Sequence, residues 1–209
     1  MYHCEATTVA GFIQQLAVAY VRNGYWFYVQ GSIPERKDPK KTDEKLIRRY
    51  EIGLPRTTVF RRKKMGVANV QYLRYEHSFI LMATKGEHRF FEEESEIQDI
   101  RRNPVKCFGY SIGYRKGRDA KFHASVRIEE RIWKSYKKEL IGHLWRRPSD
   151  DIGARLRQLP FEPYAPVYNQ ILTAYRAINR KRKVAGLEEV DFSYLRTRRR
   201  PIKPFAAWQ

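Results

Sequence analysis

The 209-residue chain has little cysteine, no long apolar run and too few acidic residues to balance its basic ones. Its two cysteines, Cys4 and Cys107, lie about half the chain apart, which excludes a disulfide framework and a CxxC metal pair. Two isolated thiols imply a reducing, cytoplasmic setting. The longest apolar runs, such as residues 79–83, fall far short of the roughly 20 residues that span a bilayer, so no membrane span is expected. The opening residues MYHCEATTVAGF place no basic stretch ahead of an apolar one, so no secretion signal is expected. The histidines His3, His77, His88, His123 and His143 include no pair at HxH or HxxxH spacing, so neither a metal nor a cofactor is expected. A P-loop, a GxSxG elbow and a glycine-rich dinucleotide fingerprint are missing too.

What is present is apolar material for a core, 42% of residues, and a formal charge of +19. The charge is uneven. Residues 1–100 hold 16 Lys/Arg against 13 Asp/Glu, and residues 101–209 hold 26 against 10, so +16 falls in the second half. A compact chain with that excess repels itself, and a polyanion relieves it. Nucleic acid and an anionic membrane surface are the two candidates. The basic residues form several separate clusters rather than one amphipathic face, which favours nucleic acid.

Periodicity supplies a coarse order of elements. Val9, Ile13, Leu16 and Tyr20 predict a helix over 8–21, ended by Gly24. GYWFYVQGSIP reads as a buried strand. Thr42 is the expected cap of a helix with Asp43 and Glu44 in its first turn and Leu46, Ile47 and Tyr50 facing inward. A basic element, RTTVFRRKK, follows. Residues 67–84 read as two strands turning near residues 74–76, and FFEEESEIQD as helix or loop. VKCFGYSIGYRKG and KFHASVRI flank KGRDA as the two strands of a hairpin. Ile132, Trp133, Tyr136, Leu140 and Leu144 predict a helix over 129–145. Ser149 is the expected cap of a short helix with Asp150 and Asp151 in its first turn, a proline-rich connector spans 159–166, and a helix over 167–185 buries Val167, Ile171, Leu172, Tyr175 and Ile178 ahead of Gly186. The tail from Leu195 reads as extended, with Phe205 and Trp208 among its aromatics. The fold class is therefore α+β: a mostly antiparallel sheet, helices packed on one side, and a helical, basic C-terminal region. The expected division is an α+β sheet domain over 1–158 and a C-terminal helix plus basic arm over 159–209.

Within VKCFGYSIGYRKG, residues Lys106, Phe108, Gly109 and Tyr110 fall where the pattern K/R-G-F/Y-G/A-F-V-x-F/Y has its own. This stretch resembles the RNP1 strand of RNA-recognition motifs, with Cys107, Ser111 and Gly113 departing from it. The resemblance implies that Phe108 and Tyr110 stack bases on an open sheet face. Alternation alone allows the opposite reading, with the same rings facing the core.

The basic residues expected to contact phosphate are Arg61, Arg62, Lys63 and Lys64; Lys106, Arg115 and Lys116; Arg180, Lys181, Arg182 and Lys183; and Arg198, Arg199 and Arg200. No catalytic residue is assigned. Tyr136 follows a His-bearing strand, which is half of the arrangement in HUH-type strand-transfer enzymes; the HUH triplet itself is absent, and His77 with His123 would have to replace it. The carboxylates Glu92, Glu93, Glu94, Glu96 and Asp99 have three readings: Mg²⁺ ligands, a solvated face, or partners for the chain's own basic elements. The leading expectation is a non-catalytic nucleic-acid-binding subunit of a ribonucleoprotein or mobile-element complex, favouring RNA or single-stranded DNA and working beside further protein subunits. The alternative is a DNA strand-cleaving or strand-transferring enzyme.

Overall fold

A computed structural model describes residues 2–117, 119–199 and 202–206. In chain order the elements are helix α1 (Val9–Gln14), strand β1 (Phe27–Ser32), helices α2 (Pro39–Arg49) and α3 (Arg56–Lys64), strands β2 (Val70–Tyr75) and β3 (Ser78–Ala83), and helix α4 (Phe90–Glu93). Then come strands β4 (Gln98–Asp99), β5 (Val105–Cys107), β6 (Tyr110–Lys116) and β7 (Phe122–Ile128), and helices α5 (Glu130–Lys138), α6 (Ser149–Arg157) and α7 (Ala165–Val184). The fold is α+β, with a four-stranded antiparallel sheet in the order β2-β3-β1-β4 and a three-stranded sheet in the order β5-β6-β7. No helix of the described residues is long and apolar enough to cross a membrane.

The chain falls into two compact units. One comprises Met1–Pro104, Gly113–Ala124 and Ile202–Gln209; the other comprises Val105–Ile112 and Ser125–Pro201.

In the first unit, Thr8 caps α1 by accepting a hydrogen bond from the Gly11 amide at 3.0 Å. The helix continues with a wider π pitch over Gln15–Tyr20 and ends at Gly24, whose φ of +91° suits glycine. The cap of α2 is Asp38, not Thr42: its carboxylate accepts from the Lys40 amide at 2.9 Å, and Pro39 takes the first helical position, where its missing N–H costs nothing. The helix therefore starts earlier than expected, and Asp43 moves from the first turn to a buried position on the inner face. Tyr50, Ile52, Val70, Tyr72, Leu81, Ala83 and Phe90 form one core cluster, with Leu46 and Ile47 packed against it. Strands β2 and β3 join through Glu76 and His77, with Tyr75 opposite Ser78. The acidic stretch supplies α4 and β4, and Glu93 pairs with Arg49 at 2.7 Å while Glu94 accepts from Tyr50. Among its three readings, contact with a basic element of the same chain is the one these bonds realise for Glu93.

In the second unit, VKCFGYSI (105–112) is not one strand. Cys107 and Tyr110 pair across a two-residue turn, Phe108–Gly109, with φ of +49° and +80°. Two consecutive positive φ values match a type I′ turn, whose twist suits a tight hairpin. Gly109 accepts its value freely; Phe108 is an uncommon residue for it. A Cβ on Gly109 would also lie 3.2 Å from the Phe161 ring. Gly109→Ala is expected to cost about 1–2 kcal/mol in urea unfolding, because an alanine is strained there whatever the space.

The helix expected over 129–145 is one run with three pitches: α5, then π over Glu139–His143, then 3₁₀ over Leu144–Arg146. Tyr136 packs edge-on against Phe161, centroids 5.7 Å apart. In α7, Pro166 sits in the first turn, Val167 and Ile178 are buried as expected, and Gly186 follows the end with φ +67°. A charged residue, Arg182, shares that buried face.

Candidate nucleic-acid interface

The described members of the predicted basic set lie on four stretches of the chain. Helix α3 displays Arg61, Lys63 and Lys64 to solvent. Arg62 is turned onto Glu51 as an ion pair. Lys63 donates to the Asn23 carbonyl at 3.0 Å and lies over the Tyr25 ring, while Lys64 lies 4.8 Å from the centroid of the Phe60 ring. Phe60 and Met65 are exposed beside these cations. Helix α3 thus mixes positive charge with uncovered apolar surface.

The second place is the β5–β6–β7 sheet. Lys106 is exposed, its ammonium 3.8 Å from the Glu129 carboxylate. Arg115 and Lys116, at the distal end of β6, are exposed and make no ion pair with other described residues. Phe108 is half-buried in the turn. Tyr110 is only 2% exposed: Phe161 meets it edge-on at 5.3 Å, and its hydroxyl accepts from the Glu162 amide at 2.8 Å. Burial raises its hydroxyl pKa to about 12. The expectation that Tyr110 stacks a base on an open face is therefore overturned. RNP1 needs two rings on one open strand, whereas here Phe108 lies in the turn and Tyr110 is enclosed.

The third place is the end of α7. Arg180, Lys181 and Lys183 are exposed. Lys181 donates to the Ile141 carbonyl at 3.1 Å and lies over Trp145. Arg182 is 3% exposed and donates to the carbonyls of Trp145 (2.8 Å), Arg147 (2.6 Å) and Glu188. The expectation that Arg182 meets phosphate is corrected: the side chain is buried, and its Nε and Nη1 donors are spent on the protein's own backbone.

The fourth place is the segment after Tyr194. Arg198 is exposed, and the exposed Arg199 covers the Tyr164 ring at 4.7 Å. Arg200 and Trp208 lie outside the described residues.

The groups weighed for catalysis are scattered. The His77 ring faces the Ile33 carbonyl at 3.0 Å, and His123 pairs with Asp119 at 2.8 Å, holding that carboxyl below its ordinary value. Burial raises the Cys4 and Cys107 thiols to about 12, far from the thiolate a nucleophile requires. No group of three or more metal-ligating side chains forms among the described residues.

One arrangement had no local signal in the sequence. Trp26 and Arg101 are far in the chain from each other and from the hairpin pair Tyr114 and Phe122, yet in the first unit the four make a continuous column. The Arg101 guanidinium lies 4.6 Å from the Trp26 ring centroid, Trp26 lies 5.3 Å from Tyr114, and Tyr114 stacks on Phe122 at 5.8 Å and 21°. The predicted hairpin brings Tyr114 and Phe122 onto neighbouring strands; nothing in the sequence linked them to Trp26 and Arg101.

No protein-family model matches the chain, and no curated protein matches it significantly.

Proposed function

We propose that the protein binds nucleic acid, RNA or single-stranded DNA, as a non-catalytic subunit of a ribonucleoprotein or mobile-element complex. The observation that carries this reading is the set of exposed cations on α3, distal β6 and the end of α7, in a chain of net charge +19. Surface ion pairs leave many of these charges uncompensated, and phosphate contact would release counterions. Aromatic rings lie beside the cations at each place, Phe60 on α3, Phe122 next to distal β6 and Trp145 by α7, which suits strands with unpaired bases. Fluorescence anisotropy with a labelled single-stranded oligonucleotide tests it. Affinity is expected to fall at least about 100-fold between 50 and 200 mM NaCl, the loss for several phosphate contacts. An affinity that does not move with salt would overturn the electrostatic reading.

A further inference from the structure

The column Arg101–Trp26–Tyr114–Phe122 is pinned at one end and unpinned at the other. At the pinned end, Asp99 grips the exposed Arg101 guanidinium with bonds of 2.9 Å and 2.6 Å and holds it against Trp26. At the unpinned end, Phe122 is 56% exposed. A lone exposed phenylalanine is ordinary. This one differs in three respects. Its ring is oriented by near-parallel stacking on Tyr114, so little freedom remains to be lost on binding. It sits at the tip of a hairpin closed by the Gly117 amide donating to Lys121 at 2.7 Å. Its hairpin is mainly cationic: Arg115, Lys116 and Lys121 are exposed against one exposed carboxylate, Asp119, which is paired with His123, and strand alternation puts Lys116 on the same face of β6 as Tyr114.

We propose that Phe122 is the outer platform on which an unpaired nucleobase stacks, extending the column by one ring, while Lys116, on the same face as Tyr114, holds a flanking phosphate. This inference rests on the nucleic-acid reading above and narrows it to single strands. A paired base inside a duplex has both faces already covered, whereas an unpaired base offers its face to an aromatic ring. The cations exclude a purely apolar occupant, and the ring supplies what cations alone lack, a contact that does not depend on salt.

The test compares wild type, Phe122→Ala, Phe122→Leu and Phe122→Trp. The probes are a single-stranded oligonucleotide carrying 2-aminopurine and a blunt duplex of the same sequence. The expected result is a loss of about 5- to 100-fold in single-strand affinity for Phe122→Ala, the range of one base–aromatic stack, with the salt slope unchanged. Phe122→Trp is expected to bind at least as well as wild type, and 2-aminopurine quenching is expected with wild type and absent with Phe122→Ala. Phe122→Leu keeps an apolar cover on Tyr114, so it separates stacking from folding: it should melt with wild type and still bind several-fold more weakly. Wild-type affinity in both Phe122→Ala and Phe122→Leu, with the salt slope retained, would overturn the platform and leave nucleic-acid binding standing. Equal losses on duplex and single strand would overturn the choice of an unpaired base. Absence of any binding by wild type would remove both readings, and binding of a protein partner through the hairpin would then be the alternative.

Discussion

Asp43→Ala is expected to destabilise the first unit by about 3–5 kcal/mol, the cost of stripping one partner from a buried ion pair. Arg74 is 2% exposed, on β2. Its guanidinium forks onto Asp43, with Nε–Oδ1 at 2.9 Å and Nη2–Oδ2 at 2.9 Å, and its Nη1 donates to the Glu76 carbonyl at 2.6 Å. The Tyr72 hydroxyl donates to the same Asp43 at 2.7 Å. Burial works against the charge on Arg74, yet the bonds to Asp43 outweigh it and hold the guanidinium above its ordinary pKa. Without Asp43, the remaining carboxylate is that of Glu5 at 3.2 Å, which is itself largely exposed and therefore screened. Tyr72 would lose its acceptor in the core as well. Two companion variants separate charge from shape. Asp43→Asn keeps an acceptor but not the charge and should lose less. Asp43→Leu combined with Arg74→Met removes both charges and should recover much of the loss, since an apolar pair of similar volume often replaces a buried ion pair without penalty. Urea unfolding followed by circular dichroism reads all three. An Asp43→Ala midpoint equal to that of wild type would show that water reaches the site and that the pair contributes nothing.

The buried pair also marks where sequence reading stops. The class of the fold was legible because it depends on local periodicity: the stripe on α5, the apolar run of β1, and the glycine after α7 each speak for themselves. Asp43 was legible as a helical residue but was assigned to the helix dipole, because a charged side chain near a helix start is normally solvated. Its burial depends on Arg74, which lies on another element and reads locally as one more cation between two apolar residues of β2. The stretch 105–117 failed for a different reason. Phe108 occupies a left-handed conformation that a bulky residue seldom takes, so alternation continued on paper through a point where the chain turns back. The candidate interface was legible as a count of charges and not as a list of side chains. Charge run 180–183 looks uniform in one dimension, while a helix turns each successive residue by about 100°, so one of four adjacent residues can face the core.

That residue, Arg182, carries the second large expected effect. Arg182→Met is expected to cost about 2–4 kcal/mol, because one charged group satisfies carbonyls from two separate segments: Trp145 and Arg147 before α6, and Glu188 after α7. Arg182→Lys should rescue little, since a single ammonium on a flexible stem does not reproduce a planar fork aimed at three acceptors. Arg180→Ala and Lys183→Ala, at exposed positions of the same run, should melt with wild type. Their expected effect lies in binding: together they should lower the slope of log affinity against log salt by about 1.4, some 0.7 for each phosphate contact on a single strand. The two classes of variant therefore separate along two axes, thermal midpoint and salt slope. An Arg182→Met protein that melts normally and binds with a shallower salt slope would return Arg182 to the nucleic-acid surface. One that melts early, and whose folded fraction binds with the wild-type slope, would fix it as the clamp that holds the basic end of α7 in place.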